Sequence, residues 1–193
     1  MTSRLHSGLY GLVPHRERVV AGARGVVLEL GGGLNVAHYR DVERVVICEP
    51  DAANHGALLD RVAAAAVPVE VHESAMTDTG LVAASFDTVV LTFVLCTTKE
   101  PYDLLAALKS LLRADGQLIF LEHVRGGGVV GTMQNVASYM WQRTFDGCHP
   151  DRDAVAAIRE AGFFITDLDR FSIRRSPVPV RPAVRGVARK AAA

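Results

Sequence analysis

An α/β fold built on a doubly wound, mostly parallel sheet is predicted by three features of this chain. Strand-like and helix-like segments alternate along it, and the strands are nearly continuous apolar runs, such as Thr88-Val89-Val90-Leu91-Thr92-Phe93-Val94-Leu95. Strands of a parallel sheet are covered by helices on both faces, so they carry no polar side. The third feature is a glycine cluster where the first strand ends, Val26-Val27-Leu28-Glu29-Leu30-Gly31-Gly32-Gly33-Leu34-Asn35. A glycine-rich strand-to-helix turn lets the backbone approach a nucleotide-like ligand, because glycine has no Cβ and tolerates positive φ.

Taken in order, a short helix is expected at residues 15–23, followed by strands at 25–30, 44–49, 67–72, 86–93 and 117–124. Helices are expected between them at 35–40, 52–66 and 102–113. The last has Leu104, Leu105, Leu108, Leu111 and Leu112 on one face, Pro101 ahead of its first turn and Asp115-Gly116 beyond its end. After Gly126-Gly127-Gly128 comes a stretch at 129–145 with a mixed apolar face, then a helix at 150–161 stopped by Gly162. Two final strands, at 163–173 and 184–188, would close the sheet as an antiparallel edge, making seven strands in all. No internal repeat or boundary divides residues 1–193, which read as a single domain.

Composition narrows the function. The chain has 193 residues, 49% of them hydrophobic and 22% charged, as a globular domain should. Lys and Arg together number 21, equal to Asp and Glu, which argues against a nucleic-acid binder held by phosphate contacts. No apolar run is as long as a membrane span and no signal peptide opens the chain, so a cytoplasmic location is expected. Cys48, Cys96 and Cys148 form no C-x-x-C pair, so their spacing indicates neither a metal site nor a disulfide framework. Cys48 and Cys96 lie in strand-like runs and are expected to be inert buried thiols.

The glycine turn gains meaning from Glu49, which ends the second strand about twenty residues further on, where doubly wound folds hold ribose hydroxyls. The pair points to an adenosine-containing cofactor. A nicotinamide site would favour G-x-G-x-x-G, which fails here at Val36. The pattern E/D-x-G-x-G-x-G of S-adenosylmethionine enzymes is met by Glu29, Gly31 and Gly33, with Asn35 in place of the third glycine.

Four segments carry a resemblance to the class I S-adenosylmethionine-dependent methyltransferases: Val27-Leu28-Glu29-Leu30-Gly31, Cys48-Glu49-Pro50, Ser85-Phe86-Asp87-Thr88-Val89-Val90 and Leu111-Leu112-Arg113-Ala114-Asp115-Gly116-Gln117-Leu118. Four more, Leu95-Cys96-Thr97-Thr98, Glu122-His123-Val124, Phe145-Asp146-Gly147-Cys148 and Arg159-Glu160-Ala161-Gly162-Phe163, resemble the animal methyltransferase-like thiol methyltransferases and bacterial relatives labelled phospholipid or quinone methyltransferases. The chain departs from them in its glycine loop. Relatives carry E-x-G-x-G-T-G-L-N; here two residues are missing if Leu34-Asn35 is the reference, or only the third glycine is replaced if the glycines are.

The resemblance implies the Rossmann-like methyltransferase fold, S-adenosylmethionine as cofactor and a small or lipophilic acceptor. It also implies a site. Gly31 and Gly33 would approach the methionine and ribose, with Glu29 and Asn35 in the same motif; Glu49, followed by Pro50, would take both ribose hydroxyls. Ser74, Ala75 and Met76 would flank the adenine near Glu73, while Thr92, Phe93 and Leu95 end the fourth strand at the ligand edge of the sheet. His123, Asp146 and His149 are the candidates for a general base, since the acceptor must lose a proton.

Residues 129–145 are placed to form a lid, packing against the sheet being the plainer reading. From Arg170 onward there are seven basic residues and no acid, which suits contact with an anionic membrane surface or a solvated tail. The altered loop leaves a second expectation open, a non-catalytic binding module of the same fold. Nothing in the sequence sets an oligomeric state.

Overall fold

The computed structural model describes residues 11–144 and 147–191. Its elements run α1 (Val13–Val20), β1 (Gly25–Leu30), β2 (Val42–Cys48), α2 (Ala52–Ala63), β3 (Val69–His72), β4 (Phe86–Thr92), α3 (Pro101–Leu111), β5 (Leu112–His123), α4 (Gly128–Thr144), α5 (Ala154–Glu160), β6 (Phe163–Ser172) and β7 (Pro182–Lys190). The sheet order is β3-β2-β1-β4-β5-β7-β6. The first five strands are parallel, and β7 lies antiparallel to both β5 and β6. The expected fold class is observed.

The strands are apolar on both sides because both sides are buried. Leu28, Leu30, Val89, Leu91, Leu118 and Phe120 pack in one core with Leu105, Leu108 and Ile158 of α3 and α5. Their alternate neighbours Val27, Val90, Ile119 and Leu121 pack in the other with Val19 and Val20 of α1 and Leu58 of α2. This two-residue alternation between two cores is what a doubly wound sheet requires. Helix starts are set locally: the Asp51 side chain accepts the Ala53 N–H at 3.0 Å, the Asp153 side chain accepts the Ala156 N–H at 2.9 Å, and Pro101 occupies the first turn of α3. Asp87, at the start of β4, accepts the Val26 N–H at 2.8 Å and pairs with Arg113.

One expected element is absent. The helix predicted at 35–40 is a single 3-10 turn, Val36–His38, after which Tyr39 is already extended. Residues 31–41 alone join β1 to β2. A parallel crossover with a full helix needs about a dozen residues or more, so this connection has no room for one. Smaller differences are of register: β5 starts at Leu112, with an irregularity opposite Phe86 and Thr88, rather than at Gln117.

The antiparallel edge has a close approach that depends on glycine. A Cβ at Gly186 would collide with the carbonyl oxygen of Asp167 and stand 2.7 Å from Cζ of Phe120. Gly186→Ala is therefore expected to destabilise the protein by about 1–3 kcal/mol. Gly127→Ala, where nothing lies within 4 Å, is expected to leave stability nearly unchanged in the same urea titration.

Candidate functional site

A cavity of about 520 Å³ opens at the carboxyl ends of β1, β2 and β4, across the point where the strand order reverses. Its wall takes Glu29, Gly31, Gly32 and Leu34 from β1 and the turn after it, Glu49, Pro50, Asp51, Asn54 and Arg61 from the end of β2 and α2, and Ala75, Met76 and Thr77 from the loop after β3. Thr92, Phe93, Val94, Thr97, Thr98 and Leu104 complete it on the β4 and α3 side.

The turn itself is held from outside and below. Gly31 has φ +107, its N–H donates to Cys48 O at 3.0 Å, and the Gly32 carbonyl accepts from Arg61 at 2.7 Å. Gly33 (φ +66) serves packing instead: a Cβ there would come 2.5 Å from Cδ1 of Leu58. Gly33 is not on the cavity wall, although Gly31 and Gly32 beside it are.

Beneath the turn, Glu29 is 1% exposed and bound on both oxygens. Oε2 accepts the Tyr39 hydroxyl at 2.6 Å, and Oε1 accepts Asn35 Nδ2 at 3.0 Å and the Asn35 N–H at 3.4 Å. Asn35 Oδ1 in turn accepts Arg16 at 3.0 Å, and Arg16 also donates to the Thr92 hydroxyl at 2.9 Å. Burial pushes the Glu29 carboxyl up, against the pull of Tyr39, Arg16 and Asn35. Burial likewise lowers the Arg16 guanidinium to about 10, opposed by Glu29. Asn35 is thus a buried brace below the turn, bonded to Glu29 and Thr92 of the cavity wall. Arg16 and Tyr39 were invisible to motif reading, since neither belongs to a glycine pattern.

Glu49 stands on the wall at the end of β2 with its carboxylate already oriented. Oε1 accepts the Asp51 N–H at 2.8 Å and Oε2 accepts Asn54 Nδ2 at 3.0 Å. Each carboxylate oxygen retains capacity for a second donor. Ser74 is not on the wall although Ala75 is, and Glu73, exposed, pairs with His55 at 3.4 Å.

Across the cavity, Phe93 adopts φ 60, a left-handed conformation uncommon for an aromatic residue and of a kind concentrated at functional sites. The turn that follows is stapled by Glu122, which is fully buried and accepts the N–H groups of Val94 (2.9 Å), Leu95 (3.0 Å) and Cys96 (3.2 Å). Burial pushes its carboxyl up to about 7, with those three amides pulling the other way.

The expected bases are placed differently from the sequence reading. His123 does not line the cavity; its ring lies 4.5 Å from that of Phe93, and Nδ1 is 3.8 Å from Cys96 Sγ and 3.6 Å from Cys148 Sγ. The last residue of β5 thus packs behind Phe93, and its position at the strand end does not put it on the cavity wall. His149 is also off the wall; its N–H donates to Cys96 O at 2.6 Å, and burial followed by Arg152 lowers its imidazole pKa. Asp146 lies outside the described residues. The stretch expected to form a lid is α4, none of whose described residues lines the cavity. Trp141 packs against the core on the α1 and α2 face, whereas Val129, Met133, Val136, Tyr139 and Met140 of the same stretch are exposed.

Because Glu29 is almost wholly buried, the hydroxyl it takes from Tyr39 is not readily replaced by water. Tyr39→Phe is expected to cost roughly 1–3 kcal/mol in urea unfolding, the penalty of a buried acceptor that loses its partner. A change within error would mean that the Glu29 carboxyl is satisfied without Tyr39.

Comparison with known proteins agrees with this architecture. Residues 28–120 match the family described as Methyltransferase domain. Rat thiol S-methyltransferase TMT1B is 33% identical over 109 residues, 55% of this chain and 45% of that protein; human thiol S-methyltransferase TMT1A is 33% identical over 108 residues, 55% and 44% respectively. The matched stretch thus spans under half the length of these curated relatives. Among solved structures, Burkholderia thailandensis 1,6-didemethyltoxoflavin-N1-methyltransferase, with 1,6-didemethyltoxoflavin and S-adenosylhomocysteine bound, superposes with TM-score 0.68 at 17% identity, covering 98% of this chain and 82% of that one. The cyclase SpnF superposes with TM-score 0.69 at 14% identity, covering 95% and 81%. Residues 28–120 are thus similar to methyltransferase domains, and the chain as a whole shares the fold of these solved structures.

Proposed function

We propose that this chain binds S-adenosylmethionine in the cavity and methylates a small or lipophilic acceptor, with thiols as the preferred class. The observation that carries the reading is the cavity's span, from the braced Glu49 carboxylate across the glycine turn to Phe93 and Thr98. Its volume lies within the range of small-molecule sites. Glu49 is suited to accept ribose hydroxyls, Gly31 and Gly32 to admit the backbone-close part of the cofactor, and Ala75 and Met76 to flank an adenine. The cofactor, when bound, supplies a methyl group already activated on a sulfonium.

The residues of this chain then have to align the acceptor and exclude water. Thr92, Phe93, Val94, Thr97, Thr98 and Leu104, which β4, its following turn and α3 give to the wall, include no titratable base. An acceptor that ionises readily by itself fits such a wall best. A thiol, with pKa near 8.5, reaches the nucleophilic anion near neutrality far more easily than an alcohol. The names of the two thiol S-methyltransferase relatives support the same class.

A second reading is favoured by one observation. The β1 to β2 connection of residues 31–41 has no helix whose N-terminus could support the cofactor carboxylate, which would suit a non-catalytic module of the fold. Calorimetry with S-adenosylhomocysteine separates the two. The enzyme reading expects binding, and Glu49→Ala is expected to weaken it by about 10- to 100-fold, the loss of roughly 1.5–3 kcal/mol of charge-assisted hydrogen bonds. An unchanged dissociation constant in a folded variant removes Glu49 from the site, and absent binding favours the module. Transfer of isotope-labelled methyl should be faster to small thiols than to amines or alcohols of matched size, and the reverse order would overturn the thiol preference.

A further inference from the structure

Three side chains far apart in sequence converge behind the cavity wall. Cys96 follows β4, His123 ends β5 and Cys148 lies in the segment after α4, and their Sγ, Nδ1 and Sγ atoms all lie within 4.8 Å of one another. All three are buried. The backbone enforces the convergence: His149 N–H donates to Cys96 O at 2.6 Å, and the Arg152 guanidinium bonds the carbonyls of Leu95 and Thr98.

We propose that Cys96, His123 and Cys148 form a zinc site. The separations fit the metal: Zn–S of about 2.3 Å and Zn–N of about 2.0–2.1 Å, at tetrahedral to trigonal angles, require sulfur and nitrogen roughly 3.5–3.8 Å apart. The observed distances are 3.6 Å and 3.8 Å. A hydrogen-bonded cluster explains them less well, because Nδ1 has a single proton or a single lone pair in its ring plane and two sulfurs approach it. A cation at the centre satisfies all three donors together.

Charge selects among soft cations. Zn²⁺ entering the site displaces one proton from each thiol, and two thiolates with one Zn²⁺ are neutral, as a buried site demands. Cu⁺ with two thiolates would leave a net negative charge beside the buried Glu122 carboxyl. Zinc prefers four ligands, so a fourth position is left to water or a small ligand. The metal would clamp the turn carrying Phe93, Val94, Thr97 and Thr98 of the cavity wall to the segment after α4. This inference does not depend on the methyltransferase reading.

The test is elemental analysis of the untagged chain, purified reduced and without chelator, then exposed to Zn²⁺ and freed of excess. About one zinc per chain is expected. Cys96→Ser and Cys148→Ser should each lower zinc retention at least about tenfold, while Cys48→Ser, a buried cysteine outside the cluster, should retain it. Replacement of zinc by Co²⁺ in the unmutated protein supplies a readout independent of any variant's folding: a thiolate-to-cobalt charge-transfer band is expected in the near ultraviolet. A wild-type protein that takes up no metal overturns the site. So do the lack of that band, retention of zinc in both serine variants, or a Cys96–Cys148 disulfide found by mass spectrometry of the unreduced chain.

Discussion

A buried carboxylate must find its partners inside the protein, and Glu29 finds its own on the segments that make the cavity floor. Tyr39 and Asn35 come from the short connection after β1, and Asn35 in turn accepts from Arg16 of α1 and donates to Thr92 at the end of β4. The network ties the glycine turn to its own strand, the neighbouring strand and an N-terminal helix. Breaking one member leaves a buried charge short of a donor, which costs more than the bond itself contributed. The turn can therefore be glycine-rich and still hold one shape.

The rest of the site is arranged around that floor. Glu49 is oriented by the first turn of α2, Gly32 by Arg61, and the opposite wall by the Glu122 carboxyl that gathers three consecutive amides. Each strand-end loop on the cavity has a polar side chain fixing its backbone. A buried polar group of this kind is tolerated only when satisfied, so each also specifies a single loop conformation.

The sheet was legible because its strands are apolar on both faces and its turns carry glycine, proline and aspartate at fixed offsets. Gly31, Glu49, Pro50, Ala75, Thr92 and Phe93 were legible as lining residues for the same reason: they sit at carboxyl ends of parallel strands, where an open α/β sheet exposes its ligand edge. What escaped the sequence depends on three-dimensional crowding. The missing helix after β1 follows from the length of a crossover rather than from propensity, and Gly33 turned out to make room for Leu58. Asn35 and His123 each lie at the predicted place along the chain but stand behind the wall, Asn35 bonded to Glu29 and Thr92 and His123 packed on Phe93. Cys96, His123 and Cys148 share no spacing motif, so only the fold brings them together.

Amide hydrogen exchange with and without S-adenosylhomocysteine tests directly whether the proposed cofactor occupies the cavity above Glu29. Binding there should slow exchange at Gly31 and Gly32, at Asp51 beside Glu49, and through the turn from Phe93 to Thr98, with the antiparallel strands β6 and β7 unaffected. Protection confined to other segments at saturating ligand, or none at all, would contradict it.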